Sequence, residues 1–368
     1  MRSMNEQPPG VAALPSGATP PAPGRSGTEL AATPRPTMRE VAARAGVSVK
    51  TVSRVVNDEP GVSPSLVERV RGAIEELDFR PNAGARSLRR ADHRSASIAL
   101  LLEDVANPYS AAVQRAVENI AVPRGVMVFS ASLDEDPGRE RVLVREFSAR
   151  HTDGLILAPA GDDQSYLATE LRPGTPVVCV DRESHNLAAD SVVVTNTLGA
   201  AEGVRHLIAS GHRRIAFLGD SFSIVTARQR YAGYQQALDE AGVPLDRDIV
   251  LDDVRDSAAA DGVITSLLSR QDPPTAIFAA QNLITIGAVR ALRRLGREYA
   301  TALVGFDDFL MADLVDPGIT VVAQDPTAIG RTAAELLFAR LDGTAAKPGV
   351  HLVPTTLIRR GSGEIRPV

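Results

Sequence analysis

The stretch AGVSVKTVSRVVNDEPGVS, residues 45–63, combines a glycine turn, a short helix and a polar break. In the helix, Val52, Val55 and Val56 fall on one side, and most hydrogen-bond donors fall on the other. A helix of about two turns is not stable by itself in water. We therefore predict that neighbouring helices hold it in place and leave its donor side free for a partner.

Residues 37–80 supply those neighbouring helices. Thr37, followed three residues later by Glu40, predicts a capping box at the start of the first helix. Ser48 is predicted to cap the second helix, and Ser63 to cap the third, with Pro64 at its first position. Three short helices in this arrangement predict an all-α helix-turn-helix domain at residues 37–80.

The donor side of the second helix fits the major groove of DNA, where the first residues of such a helix reach the base edges. Lys50, one of two lysines in the chain, can donate to guanine, and Arg54 can reach a phosphate or a base. The alternative is a small helical bundle with an ordinary solvated face. The donors that we expect to contact DNA are Ser48, Lys50, Thr51, Ser53, Arg54 and Asn57.

The charge of the chain is unevenly divided. Residues 1–94 carry a net +4 and the remaining residues −9, which together give −5. A mildly basic front on an acidic body indicates a nucleic-acid-binding arm. Residues 1–36 are rich in Pro, Gly and Ala with few large apolar residues, so we predict a disordered extension, with or without a role of its own. Residues 81–95 read, by themselves, as a basic linker.

From about residue 96 the sequence alternates apolar runs with helical stretches, which predicts parallel strands covered by helices on both faces. About nine or ten strands are expected, too many for one compact sheet. We therefore predict two Rossmann-like α/β lobes in residues 96–368, with a ligand site between them at the carboxyl ends of the strands. The clearest runs are 97–103, 126–131, 153–159, 175–182, 191–196, 214–220, 275–281 and 301–308.

The composition excludes several classes of protein. No apolar run approaches the ~20 residues that span a bilayer, and the N-terminus lacks the apolar core of a secretory signal, so we expect a cytoplasmic protein without a membrane partner. The single cysteine, Cys179, excludes an intrachain disulfide and is predicted to be buried. The six histidines lack metal-ligand spacing and are predicted at the surface or at strand ends. We predict no metal, cofactor or catalytic residue.

Residues 37–90 resemble the DNA-binding head of the lactose/galactose repressor (LacI/GalR) family. The resemblance rests on AGVSVKTVSRVVNDEPGVS and on the later LDFRPNAGARSL. It implies that Val49 and Lys50 occupy the main base-reading positions and that Arg54 occupies the third. Valine at position 49 offers only an apolar contact, for instance to the methyl group of thymine.

The same resemblance implies that residues 81–95 form a hinge helix when two chains pair on DNA. Leu88 matches the leucine that wedges between base pairs from the minor groove, with Asn82, Ala85 and Arg89 in or near the groove. This chain departs from the family by carrying Gly84 inside the segment. Glycine costs a helix about 1 kcal/mol relative to alanine, so we expect the hinge helix to depend more strongly on DNA.

The body contains, in this order, the motifs LLEDVANPYSAAV, GVRHLIASGHRRIAFLGD, TARQRYAGY, GFDD and TVVAQD. Through these motifs, residues 96–362 resemble the effector domain of the same family, which is related to periplasmic sugar-binding proteins. The resemblance implies a homodimer, because the tetramers of the family need a further C-terminal helix for which RRGSGEIRPV shows no heptad pattern. It also implies a small effector, a sugar or a nucleoside-like molecule, held by an Arg–Asp pair beside an aromatic ring. The expected effector-binding residues are Asn107, Tyr109, Thr226, Arg230, Gln281 and Asp307.

Two departures leave the identity of the effector open. Gln281-Asn282 stands where the family usually has Asn-Asp. A stacking aromatic that often follows the strand DIVLD is missing, and Arg255 or Phe222 is a possible replacement.

Sequence-specific transcriptional regulation is therefore the leading hypothesis, with repression as the expected direction. A solute-binding protein is the first alternative, but it predicts a secretory signal and no DNA-reading head. An enzyme acting on a sugar or nucleoside is the second, and it needs a nucleophile or an acid/base pair. The adjacent Asp307-Asp308 is the only candidate pair, and it lacks a nucleophile or metal partner in the sequence.

Overall fold

The computed structural model describes residues 36–57, 59–80 and 94–367. The chain divides into two compact units, Met1–Asn82 and Ala83–Val368. The predicted extension lies outside the described residues except at its last position, and so does most of the predicted hinge. The four hinge residues expected to contact DNA, Asn82, Ala85, Leu88 and Arg89, also lie outside the described residues.

The first unit contains three helices, α1 (Met38–Ala45), α2 (Val49–Val56) and α3 (Pro64–Glu76). The predicted capping box is confirmed: the Thr37 side chain accepts from the Glu40 N–H, and the Glu40 carboxylate accepts from the Thr37 N–H at 2.6 Å. Ser48 caps α2 through the N–H of Thr51. The cap predicted for α3 is only half correct, because Ser63 occupies the N-cap position without a side-chain capping bond.

A small valine-rich core holds the three helices together. Val52 and Val55 of α2 pack against Val41 of α1 and Val70 of α3, and all four are buried. Gly46 ends α1 with φ +62°, a left-handed conformation that glycine adopts without strain. Two turns of helix are thus fixed by the hydrophobic contacts of one face.

The second unit contains two six-stranded sheets with helices on their faces. In the first sheet the strand order is β11-β5-β4-β3-β1-β2, and in the second it is β12-β10-β9-β8-β6-β7. The strands are β1 (Ser97–Leu102), β2 (Met127–Ser132), β3 (Gly154–Leu157), β4 (Val177–Val180), β5 (Asp190–Val194), β6 (Ile215–Leu218), β7 (Val250–Leu251), β8 (Ala276–Ala279), β9 (Ala302–Phe306), β10 (Thr320–Ala323), β11 (Val350–Val353) and β12 (Thr356–Ile358).

Each sheet has an apolar core on both of its faces, which confirms two α/β lobes. Two single-turn 3₁₀ helices, Val122–Arg124 and Arg247–Ile249, complete the described elements. The helices are α4 (Pro108–Ala121), α5 (Pro137–Ala149), α6 (Leu167–Glu170), α7 (Asn196–Ala209), α8 (Val225–Glu240), α9 (Ser257–Leu268), α10 (Asn282–Leu295) and α11 (Pro326–Leu341).

Two expectations about the sheets are wrong. The described residues form twelve strands, not nine or ten, and two of them, β7 and β12, have only two and three residues. The sheets are also not purely parallel: β12 pairs antiparallel with β10, while the other pairings are parallel.

The run 126–131 is among the strands predicted to be covered on both faces, but β2 is a partly exposed edge strand. Its only partner is β1, and the side chains of Met127 and Phe129 are 61% and 44% exposed. A strand with a neighbour on one side only has one edge and part of one face uncovered. Hydrophobicity alone therefore predicted more burial for these side chains than the structure shows. Among the described helices, none has the length and apolar character required to cross a membrane.

The chain passes between the lobes three times. Residues 94–194 build most of the first lobe and 196–323 the second, after which α11 and β11 return to the first and β12 to the second. At two of the crossings, Thr195 and Thr355 share a hydrogen bond of 3.0 Å between their hydroxyls. Gly330 lets α11 approach α4, where an added Cβ would lie 2.4 Å from the carbonyl oxygen of Val113.

Candidate functional site

The exposed side of α2 is the first candidate site. Val49 is 43% exposed although it begins a helix whose other valines are covered, and Lys50 is exposed and makes no hydrogen bond or ion pair to any described residue. An exposed apolar side chain beside an ammonium group that bonds to no described residue is typical of a surface that binds another molecule. The N-terminal end of α2 thus has the form of a recognition surface.

The remaining donors of α2 already have local partners. The hydroxyls of Ser48 and Thr51 are 2.9 Å apart, and Asn57 Nδ2 donates to Ser53 Oγ at 3.4 Å. Arg54 Nε lies 3.8 Å from a carboxylate oxygen of Glu59. A phosphate that binds these groups must therefore compete with existing bonds, whereas Lys50 is available at once.

The second candidate site is a cleft between the two lobes, with about 700 Å³ of space not occupied by atoms, a volume that includes open solvent at its mouth. All of the effector-binding residues predicted from the sequence line this cleft: Asn107, Tyr109, Thr226, Arg230, Gln281 and Asp307. They come from both lobes, so the fold brings together residues that are up to 200 positions apart in the chain.

The polar lining of the cleft follows directly after buried strands. Glu103 follows β1, Asp181 follows β4, Asp307 follows β9 and Gln324 follows β10. In parallel sheets, the carboxyl ends of the strands point to one edge, and ligands bind there. The six-stranded sheets of the two lobes place these edges toward the same cleft.

Arg230 and Asp307 form the buried centre of the second lobe's wall. Arg230 Nε donates to Asn196 Oδ1 at 2.8 Å, and one of its terminal nitrogens donates to the carbonyl of Ala280 at 2.8 Å. That nitrogen lies 3.8 Å from an Asp307 oxygen, and the guanidinium lies 4.0 Å from the ring centre of Phe306. The arginine is thus fixed in position before any ligand arrives.

Burial raises the pKa of Asp307, and the charge of Arg230 opposes that rise. Asp307 also has a left-handed backbone, φ +70°, and accepts a hydrogen bond from Gln324 Nε2. A non-glycine residue in this conformation is uncommon and is held here by its surroundings.

Asn107 and Asn282 form a buried amide pair across the cleft. Asn282 Nδ2 donates to Asn107 Oδ1 at 2.8 Å, and Asn107 Nδ2 donates to Asn282 Oδ1 at 3.4 Å. Asn107 also caps α4 through the N–H of Tyr109. The asparagine at position 282, a departure from the family pattern, therefore bonds to the other lobe, and the hydrogen-bonding groups of Asn107 are occupied.

Neither candidate for the missing stacking aromatic, Phe222 or Arg255, replaces it in the cleft. Phe222 packs on Phe217 and Tyr231 inside the second lobe, with ring centres 6.2 and 4.7 Å apart, and Arg255 Nε pairs with Asp253 at 2.8 Å. Neither Phe222 nor Arg255 is among the described residues that line the cleft, where Tyr109 is the only aromatic. The Tyr109 hydroxyl is buried without a partner, and burial raises its pKa.

Sequence reasoning missed five ionisable residues of the cleft: Glu103, Glu135, Asp181, Arg182 and Asp220. Glu103, Asp181, Arg182 and Asp220 are the polar ends of runs that were interpreted only as strands. A polar residue directly after a buried strand was the available signal. Glu135 carried no such signal, because it lies in the loop after β2 and reaches the cleft through its ion pair with Arg182.

Electrostatic crowding in the cleft is strongest at Glu103. Burial raises the pKa of Glu103 to about 8, with further contributions from Glu135, Asp181 and Asp220, while Arg182 opposes the rise. Burial likewise raises the pKa of Asp220. The cleft therefore disfavours additional negative charge.

Other chemistry is sparse in the described part of the chain. No group of three or more His, Cys, Asp and Glu residues there is arranged to hold a metal ion. Cys179 is buried, as predicted, and burial raises the pKa of its thiol to about 12. His212 precedes β6, but it is fully buried and bonds Thr275 Oγ1 and the carbonyl of Ile365, at 2.9 and 2.7 Å.

Two family models match the chain. Residues 37–82 match a model described as bacterial regulatory proteins, lacI family, and residues 204–363 match a periplasmic binding protein-like domain. Among curated proteins, the HTH-type transcriptional regulator CelR of Thermobifida fusca is 33% identical over 340 residues, which cover 89% of this chain and 98% of that protein.

Two solved structures extend the similarity to the fold. The lac repressor dimer bound to operator and the anti-inducer ONPF matches with a TM-score of 0.78 and 28% identity, over 89% of this chain and 99% of that one. The complex of the transcriptional regulator CelR with cellobiose matches with a TM-score of 0.65 and 31% identity, over 89% of this chain and all (100%) of that one.

Proposed function

The chain belongs to the lacI family of bacterial regulatory proteins and is a DNA-binding transcriptional regulator, and we propose that a small polar ligand in the cleft controls its affinity for an operator. Repression is the proposed direction. The ligand changes operator affinity through a difference in its own affinity for the DNA-bound and free states, a coupling that is typically about 1–3 kcal/mol.

The observation that carries this proposal is that all six residues expected from the family resemblance line one cleft. Arg230 and Asp307 are buried and fixed by neighbours, as expected for a site that is formed before its ligand binds. The similar CelR structure holds cellobiose and the lac repressor structure holds ONPF, which supports a sugar or nucleoside-like ligand here.

On DNA, we propose that Val49, Lys50 and Arg54 read base edges and that Ser48, Thr51, Ser53 and Asn57 contact phosphates. Phosphate contacts set the register, and the exposed pair Val49 and Lys50 supplies the sequence preference. For the residues outside the described part of the chain, Asn82, Ala85, Leu88 and Arg89, we retain the proposal of minor-groove contacts.

Exposed apolar side chains on the body support pairing of two copies. In the first lobe these are Met127 and Phe129 of the edge strand β2, and in the second they are Leu310, Met311 and Leu314, of which Leu310 is 85% exposed. Clustered apolar surface of this kind marks protein interfaces. A homodimer presents two heads to a pseudo-palindromic operator, as in the lac repressor dimer bound to its operator.

We further propose that the protein acts in the cytoplasm and releases its ligand unchanged. Asp308, the one acid adjacent to Asp307, does not act in the cleft, because its two oxygens bind Arg360 at 2.7 Å each. The solute-binding alternative does not account for the helix-turn-helix match at residues 37–82.

Selection of duplex DNA from a random pool by the full-length protein, at one stated salt concentration, tests the proposal. We expect enrichment of a symmetric site. Lys50→Ala should then lose about 1–3 kcal/mol of affinity and relax the preference at one base pair of each half-site.

Lys347→Ala is the matched control, because it removes the only other lysine from an exposed loop of the body. It should leave both affinity and preference unchanged. Equal losses in the two variants would show that the lysines act only through net charge, and a pool without enrichment would contradict sequence-specific binding.

A further inference from the structure

The charge of the cleft is unusual for a site that holds a neutral sugar. Five carboxylates line it, Glu103, Glu135, Asp181, Asp220 and Asp307, against two guanidinium groups, Arg182 and Arg230. The arginines are already engaged: Arg182 forms a two-point ion pair with Glu135, and Arg230 faces Asp307. Asp181 shares Arg182 with Glu135, at 3.4 Å from its Nε, which leaves Glu103 and Asp220 as the two acids of the cleft without an ion pair among the described residues.

Glu103 and Asp220 approach the cleft from opposite lobes. Glu103 follows β1 of the first lobe and makes no side-chain hydrogen bond or ion pair with any described residue. Asp220 lies beyond β6 of the second lobe and accepts only the N–H of Ser221 through its side chain. The charge of Asp220 is the smallest of the contributions that raise the pKa of Glu103, after burial and the charges of Glu135 and Asp181.

Four buried side-chain atoms of the cleft lining lack a hydrogen-bond partner: the donor Arg182 Nε, the Tyr109 hydroxyl and two amide acceptors. Gln281 is 7% exposed, and its Oε1 is buried without a hydrogen-bond partner in the cleft wall. Gln324 is 9% exposed, and its Oε1 is also unpaired while its Nε2 donates to Asp307. A buried acceptor without a partner costs about 1–3 kcal/mol, so Gln281 and Gln324 favour a ligand that donates hydrogen bonds to them.

From these contacts we infer that the ligand carries a cationic nitrogen, bound between Glu103 and Asp220, on a polyhydroxylated body held by Gln281, Arg230 and Asp307. The expected class is an amino sugar or a similar polyhydroxylated amine. An ammonium group offers three donors and no acceptor, which suits two carboxylates and neighbouring amide oxygens. The inference rests on the proposed function, since it specifies the ligand of the same cleft.

A cation in this position also links binding to the relative position of the lobes. Without it, closure brings Glu103 toward Asp220 and is opposed by their like charges or by the uptake of a proton. With it, each carboxylate gains a charge-assisted hydrogen bond only when both lobes contact the nitrogen. The ligand thus favours the closed arrangement by direct contacts on both sides, which is the requirement for a shift in population.

Calorimetric titration of the full chain with matched sugars tests the inference. The probes are D-glucosamine and D-galactosamine, each compared with its neutral parent and with its N-acetyl form, which retains the nitrogen without its charge. We expect at least one amine to bind at least about tenfold more tightly than both of its neutral counterparts near pH 7.

Two variants locate the nitrogen. Glu103→Gln and Asp220→Asn retain the shape of each side chain and should each reduce the preference for the amine about tenfold or more, with little change for the neutral parents. Glu335→Gln is the control, because Glu335 is exposed on α11 and lies outside the cleft. It should retain the preference of the wild type.

Equal or tighter binding of the neutral forms would overturn the inference, and so would affinities weaker than about 1 mM for both amines. A preference that survives in both cleft variants would overturn the assigned position. The DNA selection described above is an independent measurement. Successful selection with failed amine binding rejects only the ligand class, whereas failure of selection rejects the proposed function.

Discussion

The polar side chains of helix α2 and those of the cleft differ in solvent exposure and in the contacts that position them. On α2, Lys50 is exposed, and its position follows from a cap and from buried valines within a few residues. In the cleft, Arg230 and Asp307 are each 6% exposed, and their positions depend on contacts with distant parts of the chain. A DNA-reading group can therefore be removed with little structural cost, whereas a cleft residue supports both binding and fold.

The largest effect that this comparison predicts is for Arg230→Ala. Removal of the guanidinium leaves Asp307 as a buried, uncompensated carboxylate and also removes the bond to Asn196, so we expect a loss of about 3–5 kcal/mol in the free energy of unfolding. Denaturant titration measures it. Arg331→Ala, which removes an exposed arginine of α11, should change it by less than about 0.5 kcal/mol. Similar losses in both would show that Arg230 is not structurally important.

Two valines of α2 sharpen the comparison inside one helix. Val52 is fully buried, so Val52→Ala should destabilise the head by about 2 kcal/mol and weaken binding to every DNA sequence. Val49 is 43% exposed, so Val49→Ala should leave thermal stability nearly unchanged and alter only the preferred base. Melting curves and selected operator sequences, recorded for both variants, measure the two effects. A shift of base preference in Val52→Ala without loss of stability would contradict this division.

The difference between the two regions also explains what could be predicted from the sequence. The capping box at Thr37 and the three helices of the head follow from local rules, and the structure confirms them. The alternation of apolar runs with helical stretches in the body predicted two lobes, and each of the eight quoted runs overlaps a strand. Edge position was not predictable for β2, because the hydrophobicity of a strand does not say how many neighbours it has.

The cleft shows the same limit. Arg230 and Asp307 were expected there only through resemblance to a family, since no local rule brings two residues 77 positions apart together. Glu103 and Asp220 were overlooked because each is the last residue of a run that was interpreted only as a strand, 97–103 and 214–220. Which strand ends lie next to one another depends on the order of the strands in each folded sheet. Only that order shows that the ends of these strands face one cleft.

A third prediction concerns pH and the carboxyl group of Glu103. Its ordinary pKa is 4.5, and in the folded protein it is raised to about 8. Between these values the folded chain binds more protons than the unfolded chain, so the stability of the ligand-free protein falls as pH rises through this window. Glu103→Gln removes this contribution, so we expect its melting temperature to match the wild type near pH 4 and to exceed it by roughly 10 °C near pH 8.

Glu335→Gln is again the control for this titration, with an expected melting difference close to zero at every pH. A constant difference between Glu103→Gln and the wild type across the window would contradict a buried, titrating carboxyl at this position. A larger difference at low pH would require Glu103 to be stabilised as an anion, which its surroundings of Glu135, Asp181 and Asp220 oppose.

The smallest predicted effect is the coupling between Asn107 and Asn282, the amide pair that joins the lobes. Asn282→Ala removes both bonds of the pair, but Asn107→Ala also removes the cap of α4, so the single variants are not equivalent. A double-mutant cycle separates the two contributions, and we expect a coupling of about 0.5–2 kcal/mol in the free energy of unfolding.

Small-angle scattering of the ligand-free chain gives a second measure of this pair. If the pair holds the lobes together, Asn282→Ala increases the radius of gyration, and a ligand that contacts both lobes restores it. Additive losses in the cycle, or an unchanged radius, would show that closure depends on the ligand alone. In that case the asparagine at position 282 would serve only α10, where its Oδ1 accepts the N–H of Leu283 at 2.8 Å.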